Sequence, residues 1–151
     1  MAGVINPAGD GIRRGRKTIT FDGTAGKGAI GNVIWFTVTG AVLIEYIVGL
    51  TEATLVGATA TITLGVENLT NRFIAATLAT LLAAGTIWVD TGPDADAIAL
   101  TAALKQIVMI ASSAGANDIA SAVATAAITG GALRIEVGYR PLSDDGKIVP
   151  T

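Results

Sequence analysis

Hydrophobic and polar positions alternate along much of this chain, with the period of two that marks a half-buried β-strand. Residues 17–22, KTITFD, set Ile19 and Phe21 against Thr18, Thr20 and Asp22. Residues 59–66 give the clearest case, with Ala60, Ile62, Leu64 and Val66 on one face and Thr59, Thr61 and Thr63 on the other. Residues 132–140 repeat it, placing Leu133, Ile135, Val137 and Tyr139 opposite Arg134, Glu136 and Arg140. Two further runs, 32–39 (NVIWFTVT) and 42–48 (VLIEYIV), are dense in β-branched and aromatic residues. Only Gly40 and Ala41 separate them, which predicts a tight hairpin. Residues 86–89 and 104–110 also read as strands, the latter with Lys105 on its wetter face.

Two segments leave the choice of element open. Residues 71–84 are rich in Ala and Leu and suit a helix by propensity. In 119–128 the alanines favour helix, while Val123, Thr125 and Ile128 suit a strand. Short strands recurring with turn signals between them argue for a sandwich or barrel rather than for βαβ units. The expected fold is therefore all-β: an antiparallel β-sandwich, jelly-roll-like, with a flexible N-terminal arm. Residues 1–16, carrying Gly, Pro, Asn and Arg without apolar period, are the arm; 17–141 form the sandwich domain and 142–151 a C-terminal tail. The Ile34-Trp35 and Ile87-Trp88 pairs sit in similar surroundings. Two tryptophans anchoring the two sides of one core explain this more simply than an internal duplication.

Composition narrows the chemistry. The 151 residues contain neither His nor Cys, which removes the Ser-His-Asp triad, the imidazole base, the thiolate nucleophile, disulfides and the common zinc sites. Apolar residues make up 51% and charged residues 15%, a pattern met where assembly buries surface. The net charge of −2 hides an asymmetry, because four of the 10 basic residues are Arg13, Arg14, Arg16 and Lys17. The body from residue 18 onward carries 6 bases against 11 acids, an excess of five negative charges. A basic arm on an acidic body fits an acidic surface on another molecule. Those four residues are the candidate partner-binding site. A solvated tail is the plainer reading, and nucleic acid is disfavoured by the acidic body and the lack of aromatic residues beside the cluster.

The remaining motifs reduce to ordinary structure. Residues 26–31, GKGAIG, match G-x-G-x-x-G, but the chain runs on into a strand instead of opening the helix a dinucleotide needs, so a flexible hairpin loop is expected. Lys27 is followed by Gly28, which also fails the P-loop pattern. Asp90, Asp94 and Asp96 in DTGPDAD suit a hard cation by type but not by EF-hand spacing, and Gly92-Pro93 is turn chemistry, so a solvated loop is expected and calcium is the alternative. Glu45 and Glu136 lie within predicted strands. They read as outward residues paired across the sheet, with Arg134 or Arg140 as partners, rather than as a glycosidase pair. The Asn68-Leu69-Thr70 sequon reads as coincidence, since the opening residues lack the apolar core of a secretory signal. The apolar stretch 73–89 contains three Thr and a Gly and falls short of a membrane span. No catalytic residue, cofactor or metal is expected.

The segments NVIWFTVTGAVLIEYIVGL, GATATITLGVENLTNRFIAAT, AAGTIWVDTGPDA and ITGGALRIEVGYRPLSDDGKIVP, taken in order over residues 30–142, resemble small tailed-bacteriophage virion structural proteins, most like capsid decoration (cement) proteins. The resemblance implies a non-enzymatic β-rich homotrimer bound to the major capsid protein lattice on the virion exterior, assembled in the host cytoplasm and clamping neighbouring capsomers. No single decoration-family motif is matched residue by residue. Deletion of residues 1–16 is then expected to leave the fold intact and abolish shell binding. A self-assembling tail or fibre component, or a small ligand- or ion-binding β-module, are the alternatives.

Overall fold

The computed structural model describes residues 11–89, 107–110 and 117–151. Ten strands run β1 (Arg13–Thr20), β2 (Gly31–Thr39), β3 (Ala41–Val56), β4 (Thr61–Val66), β5 (Leu69–Leu78), β6 (Ile87–Trp88), β7 (Ile107–Ile110), β8 (Ile119–Ala124), β9 (Gly130–Pro141) and β10 (Lys147–Pro150). One 3-10 turn, Ala79–Leu81, follows β5. The strands form two five-stranded antiparallel sheets, as the alternation predicts. The first has the order β1-β9-β3-β6, with β7 on the same edge of β3 as β6; the second has the order β10-β2-β8-β4-β5.

The core lies between the sheets. Leu133, Ile135, Val137 and Tyr139 of β9 point into it, as do Ile62 and Leu64 of β4. Trp35 is supplied by the second sheet and Trp88 by the first, so each anchors one side of a shared core. Trp35 buries its polar atom as well, its Nε1–H donating to Ser121 Oγ at 2.9 Å. A register shift between Ile34 and Phe36 changes the phase of β2, so that both Trp35 and Phe36 are buried although they are neighbours.

Several expectations are corrected. The segments 32–39 and 42–48 are strands, but they lie in different sheets, so no hairpin joins them. Gly40, at φ 61°, turns the chain from one sheet to the other, and a Cβ there would meet Asp145 and Ser143 of the opposing loop. Likewise residues 26–31 belong to a crossover from β1 to β2 rather than to a hairpin between them. The crossover is held by Lys27 N–H donating to the Thr24 carbonyl, and Ile128 N–H to the Gly28 carbonyl. The segment open to a helix at 71–84 is strand through Leu78, because pairing with β4 overrides Ala/Leu propensity. The segment 119–128 is strand through Ala124, inserted between β2 and β4. The expected tail 142–151 contributes β10, which pairs with β2 and buries Ile148. Arg13 to Arg16, assigned to the arm, are the first half of β1. Residues 1–10, 90–106, with Asp90, Asp94, Asp96 and Lys105, and 111–116 lie outside the described residues.

Candidate interaction surface

Strand β1 forms one edge of the first sheet and pairs with β9 through all eight of its residues. Strand alternation therefore separates the four basic residues by face. Arg14 and Arg16 stand on the outer face, opposite Gly138 and Glu136 respectively. Arg13 is exposed at the start of the strand. Lys17 faces the other way, toward the second sheet. Its Nζ donates to the Ile34 carbonyl at 2.9 Å and to Thr151 Oγ1 at 3.0 Å, and burial lowers its pKa. Arg14 and Arg16 are thus presented to solvent on the outer face, Arg13 is exposed at the start of the strand on the side that Lys17 shares, and Lys17 closes the seam between β1 and the β2–β10 pair.

The outer face beside β1 is a lattice of ion pairs. Arg16 donates through Nε and Nη2 to Glu136 Oε2 at 3.1 and 2.8 Å, while the Tyr46 hydroxyl donates to Glu136 Oε1 at 3.0 Å. Those two contacts, Arg16 first, hold the Glu136 carboxyl below its usual range. Tyr46 is raised, by desolvation first and then by Glu136. Arg140 pairs with Glu45 at 2.7 Å and Arg134 with Glu52 at 2.8 Å. The two glutamates singled out in the sequence are therefore outward and paired; Glu45 takes Arg140 as expected, and Glu136 takes Arg16 instead of Arg134 or Arg140. Among the described residues no carboxylate lies within ion-pair distance of Arg13 or Arg14. The outer basic charge is concentrated at the β1 edge, with the rest of the face neutralised in pairs.

The opposite side of the sandwich has another character. Between the β5 edge of one sheet and β6 of the other runs a cleft of about 520 Å3, lined among others by Leu78, Leu81, Leu82, Ile87, Trp88 and Val89, with no charged side chain in its wall. Leu81 and Ile87 are each 66% exposed. This cleft was not anticipated from sequence; the signal was the apolar run 73–89, longer than one buried strand needs. Among the described residues no group of three acidic, His or Cys side chains is arranged to hold a metal, and no helix is long and apolar enough to cross a membrane.

No family model matches the chain, and no curated protein matches it. Among solved structures it is similar to a chain of the Cyanophage Pam1 capsid asymmetric unit, at 18% identity with a TM-score of 0.48, over 93% of this chain and 92% of that one.

Proposed function

We propose that the protein is a non-enzymatic virion structural component that decorates a phage capsid as a homotrimer, its β1 edge clamped against acidic surface of the major capsid protein lattice. The observation that carries this reading is the exposed basic edge: Arg13 and Arg14 stand on a rigid strand of an otherwise acidic sandwich, without a carboxylate partner among the described residues. Charges of that kind lose little on meeting an acidic partner, and repetition over a lattice multiplies each weak contact. The sequence resemblance to decoration proteins supports the same role. Strand order supports the jelly-roll part of the reading. The chain alternates between sheets from β1 to β4, keeps β5 beside β4, returns to the first sheet with β6 and β7, and alternates again through β8 and β9, the course of a double Greek key.

The truncation that best tests the role must spare β1, since removing residues through Arg16 would delete Gly15, which packs on Val137 and Phe36, and the Arg16–Glu136 pair. Charge reversal is cleaner. The Arg13→Glu, Arg14→Glu double variant should keep the wild-type melting temperature and bind purified capsid shells at least about tenfold more weakly in co-sedimentation. The wild-type binding should itself weaken as salt is raised. Undiminished binding by the double variant would sink the assignment of β1.

A further inference from the structure

We infer that the apolar cleft between β5 and β6 is the receiving site for residues 1–6 of a neighbouring copy, so that each chain holds the next head to tail. The cleft asks for an occupant of defined chemistry. Its wall carries no charge, and its exposed lips are Leu78, Leu81, Ile87 and Val89. Its two sides are tied across the floor by Trp88 Nε1–H donating to Thr77 Oγ1 at 3.0 Å. The β5 lip is the last strand of its sheet, and no strand pairs its outer edge among the described residues. A groove of this kind takes an extended, uncharged, apolar segment, which adds backbone hydrogen bonds to the edge while its side chains fill the cleft.

The chain itself contains such a segment. MAGVINPAG has no charged side chain before Asp10, offers Met1, Val4 and Ile5, and ends its capacity for ladder pairing at Pro7. Its attachment point decides whose groove it enters. Gly11 precedes β1, at the edge of the first sheet farthest from β6. Three strand spacings, about 14 Å, separate β1 from β6. Along the strands, Arg13 is level with Ile44 through Tyr139, whereas Trp88 is level with Gly49, adding roughly 16 Å. Trp88 therefore lies about 20 Å from Arg13 in a straight line, and farther from Gly11. Ile5 stands six residues from Gly11 and reaches about 20 Å only when fully taut, with nothing left for turning over the edge into the cleft. A neighbour's groove imposes no such limit. β1, from which the arm leads, and the groove occupy opposite edges of the first sheet, so the contact is heterologous, of the kind that closes into a ring where the rotation between copies permits. This assembly stands whether or not the ring sits on a shell.

The test uses the full chain in solution, without shells. Two variants are made: Val4→Asp with Ile5→Asp in the arm, and Ile87→Asp at the exposed lip of the groove. Light scattering should give the wild type a mass several times the 15.1 kDa of one chain, and each variant the mass of one chain. Mixed together, the two variants should form a one-to-one pair, because one retains a working groove and the other a working arm. A wild type that stays monomeric overturns the inference, as does an arm variant that keeps its assembled mass. So does a monomeric arm variant that fails to pair with the groove variant, for the arm then seats elsewhere. Since the readout is mass in the absence of shells, its failure leaves attachment through Arg13 and Arg14 untouched, and loss of shell binding leaves the ring untouched.

Discussion

Thr125 is the one non-glycine among the described residues with positive φ, at 70°. The Ala126 N–H donates to the Ala124 carbonyl at 2.8 Å across it, the i to i+2 bond of a γ-turn, and the side chain is exposed. A β-branched residue holds that conformation at a cost of about 1–2 kcal/mol. Thr125→Gly should therefore raise stability by about 0.5–1 kcal/mol, after the entropy glycine adds to the unfolded chain. The midpoint of urea unfolding should move up; a fall would mean that the threonine side chain supplies something the turn needs. Glu136 acts in the pH dependence. Its folded pKa lies below the ordinary carboxylate value, so its stabilisation is complete above about pH 4.3 and is lost as pH falls through the depressed value. Glu136→Gln should flatten that acid limb, yet cost less than about 1 kcal/mol at neutral pH, because Arg16 is well exposed. Equal losses of stability in wild type and variant between about pH 5 and pH 3 would contradict it.

Among the elements, β3 and β9 carry the first sheet, and their outer contact turns on Gly138. A Cβ at that position would collide with the Tyr46 ring at Cε1. Gly138→Ala should displace the ring, break the Tyr46–Glu136 hydrogen bond and cost about 1–3 kcal/mol. Adding Tyr46→Ala should recover most of that loss in a double-mutant cycle; additive losses would place the strain elsewhere. Strands whose two faces differ were legible in sequence. Residues 17–22, 59–66 and 132–140 alternate cleanly, and the strands take in 17–20, 61–66 and all of 132–140. Less legible were strands whose pattern is broken by packing. β3 runs through Gly49, where the backbone lies under Trp88 and a Cβ would approach Cε3 to 3.0 Å, so a glycine that resembled a strand end marks a close approach. β10 hid in a short segment ending in Pro150, a residue compatible with an edge position.

For the whole molecule, the sandwich architecture was visible in the spacing of its strands, whereas the assignment of neighbours to sheets was not. Periodicity records which side chains face inward, but not which backbone supplies the hydrogen bonds, and Gly40 between two strong strands fits a hairpin and a sheet-changing corner equally well. The candidate surface was legible to the same degree. The sequence grouped Arg13, Arg14, Arg16 and Lys17, and only the pairing of β1 with β9 turns Lys17 inward, sets Arg14 and Arg16 on the outer face and leaves Arg13 exposed at the strand's start. The apolar cleft arises where the edges of two sheets meet, so the apolar run 73–89 signals surplus hydrophobic surface but not the groove it forms.

The corner at Gly40 also governs how the chain must reach its native state. With β2 and β3 in separate sheets, neither can find its hydrogen-bonding partner nearby: β2 waits for β8 and β10, and β1 and β3 both wait for β9, roughly a hundred residues further on. Among the described residues only β4 and β5 pair with an immediate neighbour. Such a contact order places the protein among slow folders and lets little of the first sheet close while the chain is still emerging from the ribosome. The final third of the sequence is therefore the component that completes the fold: a chain cut short before β9 keeps β2, β8, β4 and β5 of the second sheet but lacks the strand that joins β1 to β3 and covers their apolar face.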